Sequence, residues 1–231
     1  MNDKPTLRLV LPALAIVAAA LITLKACSKP APPPPEPRLL VVDGLTITFE
    51  DLQPFVDYIR SFRPEAGIKS ITMKALDEHV LPLRLAQRAF AEEREVQHKN
   101  AQALSDVADN VYDLENFTEN TGHKQRKKLA RMQAHLPVSM FVFDPLKTGA
   151  VSPPLELPQG WFVVASYDMV ESPLAVADHV DVLQVAFVTH DADQWALWYD
   201  EEKRRITDKV TFVHPDYAHR LPPWLNPPKK P

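Results

Sequence analysis

Twenty-three of the 231 residues are proline, and their clustering decides which parts of this chain can fold. Proline fixes φ and lacks a backbone N–H, which excludes it from helix interiors and central strands. Six of the eight residues from Pro30 to Pro37 are proline. Such a run favours extended polyproline II geometry, at about 3.1 Å per residue. The chain closes on LPPWLNPPKKP, which is equally unsuited to regular structure. Residues 28–38 therefore read as a spacer and 221–231 as a tail without fixed structure, with Trp224 as its one docking group. A folded body is confined to the stretch between them.

Ahead of the spacer, Lys4 and Arg8 precede an uncharged apolar run from Leu9 to Leu24 that contains Pro12. The run is short for a membrane span, which takes about 20 residues. A basic head followed by an apolar middle is the layout of an export signal. It ends Leu24-Lys25-Ala26-Cys27, and Cys27 is the chain's one cysteine. Leucine three before and alanine one before a cysteine resemble the lipobox of bacterial lipoproteins, although Lys25 departs from that pattern. Residues 1–27 are read as a signal peptide with Cys27 as the lipidation site; an uncleaved anchor is the alternative. Both place the body outside the cytoplasmic membrane, and the absence of an aspartate after Cys27 favours the outer membrane. With a lone cysteine no intrachain disulfide forms, so the body stands on packing alone. Removing residues 1–26 leaves 23 basic against 29 acidic side chains, a balance in which nothing points to a nucleic-acid partner, and none is expected.

Within the body, Leu39–Val42 and Leu45–Ile47 are apolar runs split by Asp43-Gly44, a tight-turn pair. Thr48 followed by Phe49-Glu50-Asp51 predicts a capped helix start. Phe49, Leu52, Phe55, Val56, Ile59 and Phe62 then form one stripe, which stops before Pro64. The spacing predicts a second helix over 70–95, kinked at Pro82, and a third over 100–119. A fourth, basic helix is predicted over 122–135, and a last helix over 193–208 before a closing strand at Val210–Val213. Two apolar runs, Leu155–Leu157 and Trp161–Ser166, flank Pro158-Gln159-Gly160 and predict a β-hairpin. The expected fold class is mainly α, with a small residual β-hairpin element, α+β overall.

The hairpin segment GAVSPPLELPQGWFVVASYD resembles the last hairpin of parvulin-type prolyl isomerases, with Phe162 where that family has histidine. The opening VVDGLTITFEDLQPFVDYIR and the stretch from Leu76 to Ala89 resemble the amino-terminal chaperone domain of the exported SurA and PrsA folding factors. Trp195–Thr211 is similar to the helix and strand that close such domains. The resemblance implies a helical chaperone-like domain over 39–137, a truncated isomerase segment over 138–170, and a returning strand and helix over 171–220. Gly160, Trp161 and Phe162 mark the degenerate isomerase segment.

Prolyl isomerisation must lower a barrier of about 20 kcal/mol, which takes preorganised polar groups beside an apolar pocket. Without the family's two histidines that polar half is missing, so no catalytic residue is assigned. The expected activity is non-covalent binding of unfolded or extended envelope polypeptides. Phe55, Tyr58, Phe62, Leu83 and Phe90 are the candidate peptide-binding residues, since an exposed apolar groove binds without reading sequence. The alternatives are a prolyl isomerase with a reduced site and an accessory subunit of one envelope secretion or assembly complex. No cofactor or metal is expected. His214, Asp216 and His219 read as a solvated turn, and Asp191 or Asp193 as the cap of the last helix.

Overall fold

The computed structural model describes residues 38–117 and 122–226. β1 (Arg38–Val42) and β2 (Leu45–Thr48) form the expected hairpin, with Asp43 at φ 50° and Gly44 at φ 79° in its turn. Positive φ costs glycine little and aspartate less than most residues, which is why this pair suits the turn. The Asp43 carboxylate is also gripped by Arg88, Arg205 and Lys209 at 2.8–3.3 Å. Burial alone would raise its pKa; these cations hold it below the ordinary carboxylate value.

α1 (Phe49–Phe62) starts on a complete capping box, with Thr48 and Asp51 each bonding the other's backbone N–H. It buries Leu52, Val56, Ile59 and Phe62 against β1 and β2. α2 (Ile68–Ala75) leads into a π turn (Leu76–Val80) and then α3 (Leu81–Ala89). The sequence predicts a kink at Pro82, and the chain instead widens one turn ahead of it. Leu81 N–H reaches Leu76 C=O, five residues back. In that register the N–H that Pro82 lacks would have served Asp77 C=O. The Tyr199 hydroxyl donates there instead, at 3.3 Å.

The helix breaks at Phe90 (φ −127°, ψ 36°), whose ring wedges against His190 and Trp198. α4 (Ala91–Val107) runs through residues 96–99, which the sequence reads as a gap, and α5 (Val111–Asn116) follows. The expected basic helix over 122–135 is a strand, β3 (His123–Ala130). Lysine and arginine suit helices, but here pairing with β6 (His179–Val188) along all eight residues decides the conformation. α6 (Leu136–Val142), β4 (Leu155–Leu157) and β5 (Gly160–Val170) lie between them in sequence.

The hairpin β4–β5 is therefore not a residual element. It forms the outer half of an antiparallel four-stranded sheet of order β3-β6-β5-β4. A second antiparallel sheet, β2-β1-β7, is closed by β7 (Val210–Val213), which follows α7 (Ala192–Ile206). The fold is thus mixed α/β with two sheets, and the mainly α expectation is corrected. The apolar run at 180–188 joins the four-stranded sheet, and β7 is the strand that returns to β1. Asp191 caps α7 with Gln194, as its position predicts.

Three cores result. The first joins β1, β2, α1, α2, α3 and Ile206. The second packs α4 and α5 on the sheet face of Val163, Ala165, Leu183, Val185 and Phe187. The third packs α6 on the opposite face, over Phe162, Val164, Val180 and Val182. The tail is also corrected in part. Leu221 and Leu225 are buried in the first core, and Trp224 Nε1 donates to Asp77 Oδ1 at 2.8 Å. Proline has no N–H to leave unsatisfied, and the N–H groups of Leu225 and Asn226 are met by Pro222 and Thr207 C=O, each at 3.0 Å.

Candidate functional site

An open groove of about 480 Å³ runs between α1 and α3 on one side and α6 and β4 on the other. Pro54, Phe55 and Leu83 form one wall; Pro137, Met140, Phe141 and Leu155 form the other. Pro54 lies inside α1, where its missing N–H leaves Glu50 C=O without its usual donor and sets the ring towards the groove. α6 begins with Leu136-Pro137, a start that proline favours because the first N–H groups have no intrahelical partner.

The two walls are held at a fixed distance by polar contacts. Tyr58, half-buried on α1, donates to Ser139 Oγ on α6 at 2.7 Å, and Ser139 donates to Arg131 C=O at 3.2 Å. Burial pushes the Tyr58 phenol above its ordinary pKa, with Ser139 and Arg131 opposing. On the β4 side, Arg94 of α4 is 4% exposed and clamps the hairpin turn. It donates to Pro158 C=O (2.8 Å), Leu157 C=O (2.9 Å) and Glu156 Oε1 (3.0 Å). Gln87 donates to the same Glu156 carboxylate at 3.0 and 3.1 Å.

His79 closes the groove floor. It is 3% exposed, its Nδ1 has no hydrogen-bond partner, and the Phe55 ring meets it edge-on at 4.4 Å. Burial, followed by repulsion from His135, lowers its pKa to about 4, so the imidazole is neutral at pH 7. The rim is charged: Lys147 lies 5.1 Å from the Phe141 ring, and Glu156 of β4 also lines the groove. Burying a Leu or Phe side chain in such a cleft contributes about 1.5–3 kcal/mol without selecting sequence.

Of the residues singled out from the sequence, the groove brings together Phe55 and Leu83. Tyr58 braces its wall from behind. Phe62 is buried in the first core, under the rings and cations of Tyr58 and Arg131. Phe90 packs elsewhere, on Trp198 and His190. Pro54, His79, Pro137, Met140, Phe141 and Leu155 line the groove without having been singled out. Their approach depends on where α6 docks, for which local periodicity carries no signal.

Gly160, Trp161 and Phe162 open β5. Gly160 has φ 154°, and a Cβ there would sit 2.2 Å from Phe187 C=O. Trp161 faces α4, stacks on His98 at 4.2 Å and donates to Arg94 C=O at 3.1 Å. Phe162 faces the other way and lines a second cavity of about 570 Å³, with His135 and Gln184. A third, of about 360 Å³, holds Asp77, Glu78, Trp195 and Tyr199. The described residues include no group of three His, Cys, Asp or Glu side chains placed to hold a metal; His214 Nδ1 and Asp216 stand 3.8 Å apart. No helix among the described residues is long and apolar enough to cross a membrane, and Cys27 lies outside them. No protein-family model, curated protein or solved structure matches this chain.

Proposed function

We propose that this chain binds unfolded or extended polypeptide non-covalently, on the outer side of the cytoplasmic membrane and tethered through its amino-terminal segment. The observation that carries the reading is the open groove walled by Phe55, Leu83, Pro137 and Phe141. It offers apolar surface at the bottom of a charged rim, and burial of apolar side chains is non-directional. The export-signal layout before Cys27, its lipobox-like end and the resemblance to exported folding factors support the same assignment.

The test is suppression of aggregation of a urea-denatured outer-membrane β-barrel protein. The wild-type chain is expected to suppress it at stoichiometric amounts, and Leu83→Asp to lose most of that effect while keeping its circular-dichroism spectrum. A wild-type chain inert towards several such substrates overturns the reading. A reduced prolyl isomerase is the second reading, favoured by Phe162 and His135 with ring centroids 6.5 Å apart in a cavity that Gln184 also lines. A protease-coupled prolyl-peptide assay separates the two: catalysis requires a rate above background that Phe162→Ala removes.

A further inference from the structure

The four-stranded sheet ends on one side in β3, whose outer edge meets no strand among the described residues. It is the longest open edge there: β3 has eight residues, whereas the other sheet edges, β4, β2 and β7, have three, four and four. About half of the N–H and C=O groups of an antiparallel edge strand point away from its neighbour, unpaired. β3 reads HKQRKKLA, with four cations and no acid in a chain of net charge −4.

Two of those cations are occupied. Lys124 donates to the carbonyls of Glu115 and Phe117 at the end of α5 (2.5 and 2.8 Å). Arg126 lies over the Tyr167 ring at 4.1 Å and 3.6 Å from Asp181. Lys127 and Lys128 make no salt bridge among the described residues, although Lys128 stands opposite Asp181 of β6, and they project to opposite faces. Lys127 lies beside the cavity of Phe162 and Gln184, and Lys128 beside Tyr167, Arg126, Asp168 and Asp181, the last of which Arg126 already engages.

From this arrangement we infer that β3 is a docking edge for an extended acidic polypeptide segment, added as a fifth antiparallel or parallel strand. Lysines on an edge ordinarily repel strand addition, because an incoming apolar or basic strand leaves them unpaired. An incoming strand bearing Asp or Glu turns the same residues into favourable cross-strand pairs. The edge thereby rejects a second copy of itself, whose β3 would set like charges opposite one another. A flat anionic surface meets one face at a time, whereas a strand alternates its side chains and meets Lys127 and Lys128 together. The main-chain bonds would supply affinity and the lysines the preference. This deepens the polypeptide-binding reading by naming a second contact and the charge of its ligand.

The experiment is fluorescence anisotropy of a capped eight-residue peptide of Glu, Thr and Val, with carboxylates on both faces. Two analogues are N-methylated at alternate residues, one set for each strand edge, and a third replaces Glu by Lys. Binding of the acidic peptide is expected, with loss of at least about tenfold in affinity for one N-methylated analogue and little change for the other. The Lys127→Glu/Lys128→Glu variant is expected to weaken it by about tenfold at low salt. Equal binding of all the N-methylated peptides, equal binding of the Lys analogue, or binding only to phosphatidylglycerol–phosphatidylethanolamine vesicles would overturn the inference. Peptide binding that survives an inert result in the aggregation assay would retain this inference and remove the groove; the converse result removes this one alone.

Discussion

His79 makes the groove a pH-dependent structure, and the size of the effect follows from its surroundings. The imidazole is 3% exposed, with a pKa near 4 in the folded chain. In the unfolded chain it titrates near 6.5. A lowered folded value means that stability is full above about pH 6.5 and is lost as pH falls towards 4, because only the unfolded chain takes the proton in that window. The loss is about 2 kcal/mol at pH 5 and about 3 kcal/mol at pH 4 relative to pH 7. For a body of this size, 2 kcal/mol lowers Tm by about 6 °C. The assay is urea denaturation at pH 7 and pH 5 for the wild type and His79→Leu, a substitution of similar volume that cannot titrate. The wild type should lose about 2 kcal/mol more than the variant over that interval. Equal losses in the two proteins would refute the argument, because other titrating groups, His135 among them, are common to both.

Four further substitutions test the framework around the groove. Tyr199→Phe removes the donor to Asp77 C=O and should cost about 1–3 kcal/mol in urea denaturation. Pro82→Ala in the same background should return part of it by restoring an N–H, a coupling that a double-mutant cycle reads directly. Arg94→Met leaves two turn carbonyls without their donor and Glu156 with Gln87 alone, and should cost about 3 kcal/mol, with faster amide exchange confined first to the β4–β5 turn. Gly160→Ala forces a Cβ against Phe187 C=O at φ 154° and should destabilise by more than about 2 kcal/mol, read as a lowered urea midpoint.

What was legible in the sequence is what short-range chemistry decides. Asp43-Gly44 fixes the first turn, Thr48 with Asp51 fixes the start of α1, Arg63-Pro64 its end, and Asp191 the start of α7. Each is settled within four residues. β3 is the opposite case: HKQRKKLA has no two-residue apolar alternation, because its edge position leaves most of its side chains in water. Its strand conformation comes from β6, whose residues lie some fifty positions later. The mainly α expectation failed at that point, since reading 122–135 as a helix removed one edge of the sheet and left the β4–β5 hairpin isolated.

The groove divides along the same line. That Phe55, Phe62 and Leu83 are apolar and lie on helical stripes is visible in the sequence; which of them stays open is not. Opening is decided by α6, seated where Tyr58 reaches Ser139 and where Phe141 and Val142 enter the third core over the four-stranded sheet. In that seat α6 reaches across to Phe55 without filling the space above Leu83, while Arg131, just before α6, covers Phe62. The cleft is therefore bounded by two cores at once: its α1 and α3 wall belongs to the first and its α6 and β4 wall to the third. A substitution that loosens either core should widen or close the groove without touching a groove residue. Stability of the four-stranded sheet and the shape of the groove, and with it the polypeptide binding proposed for it, are for that reason physically linked.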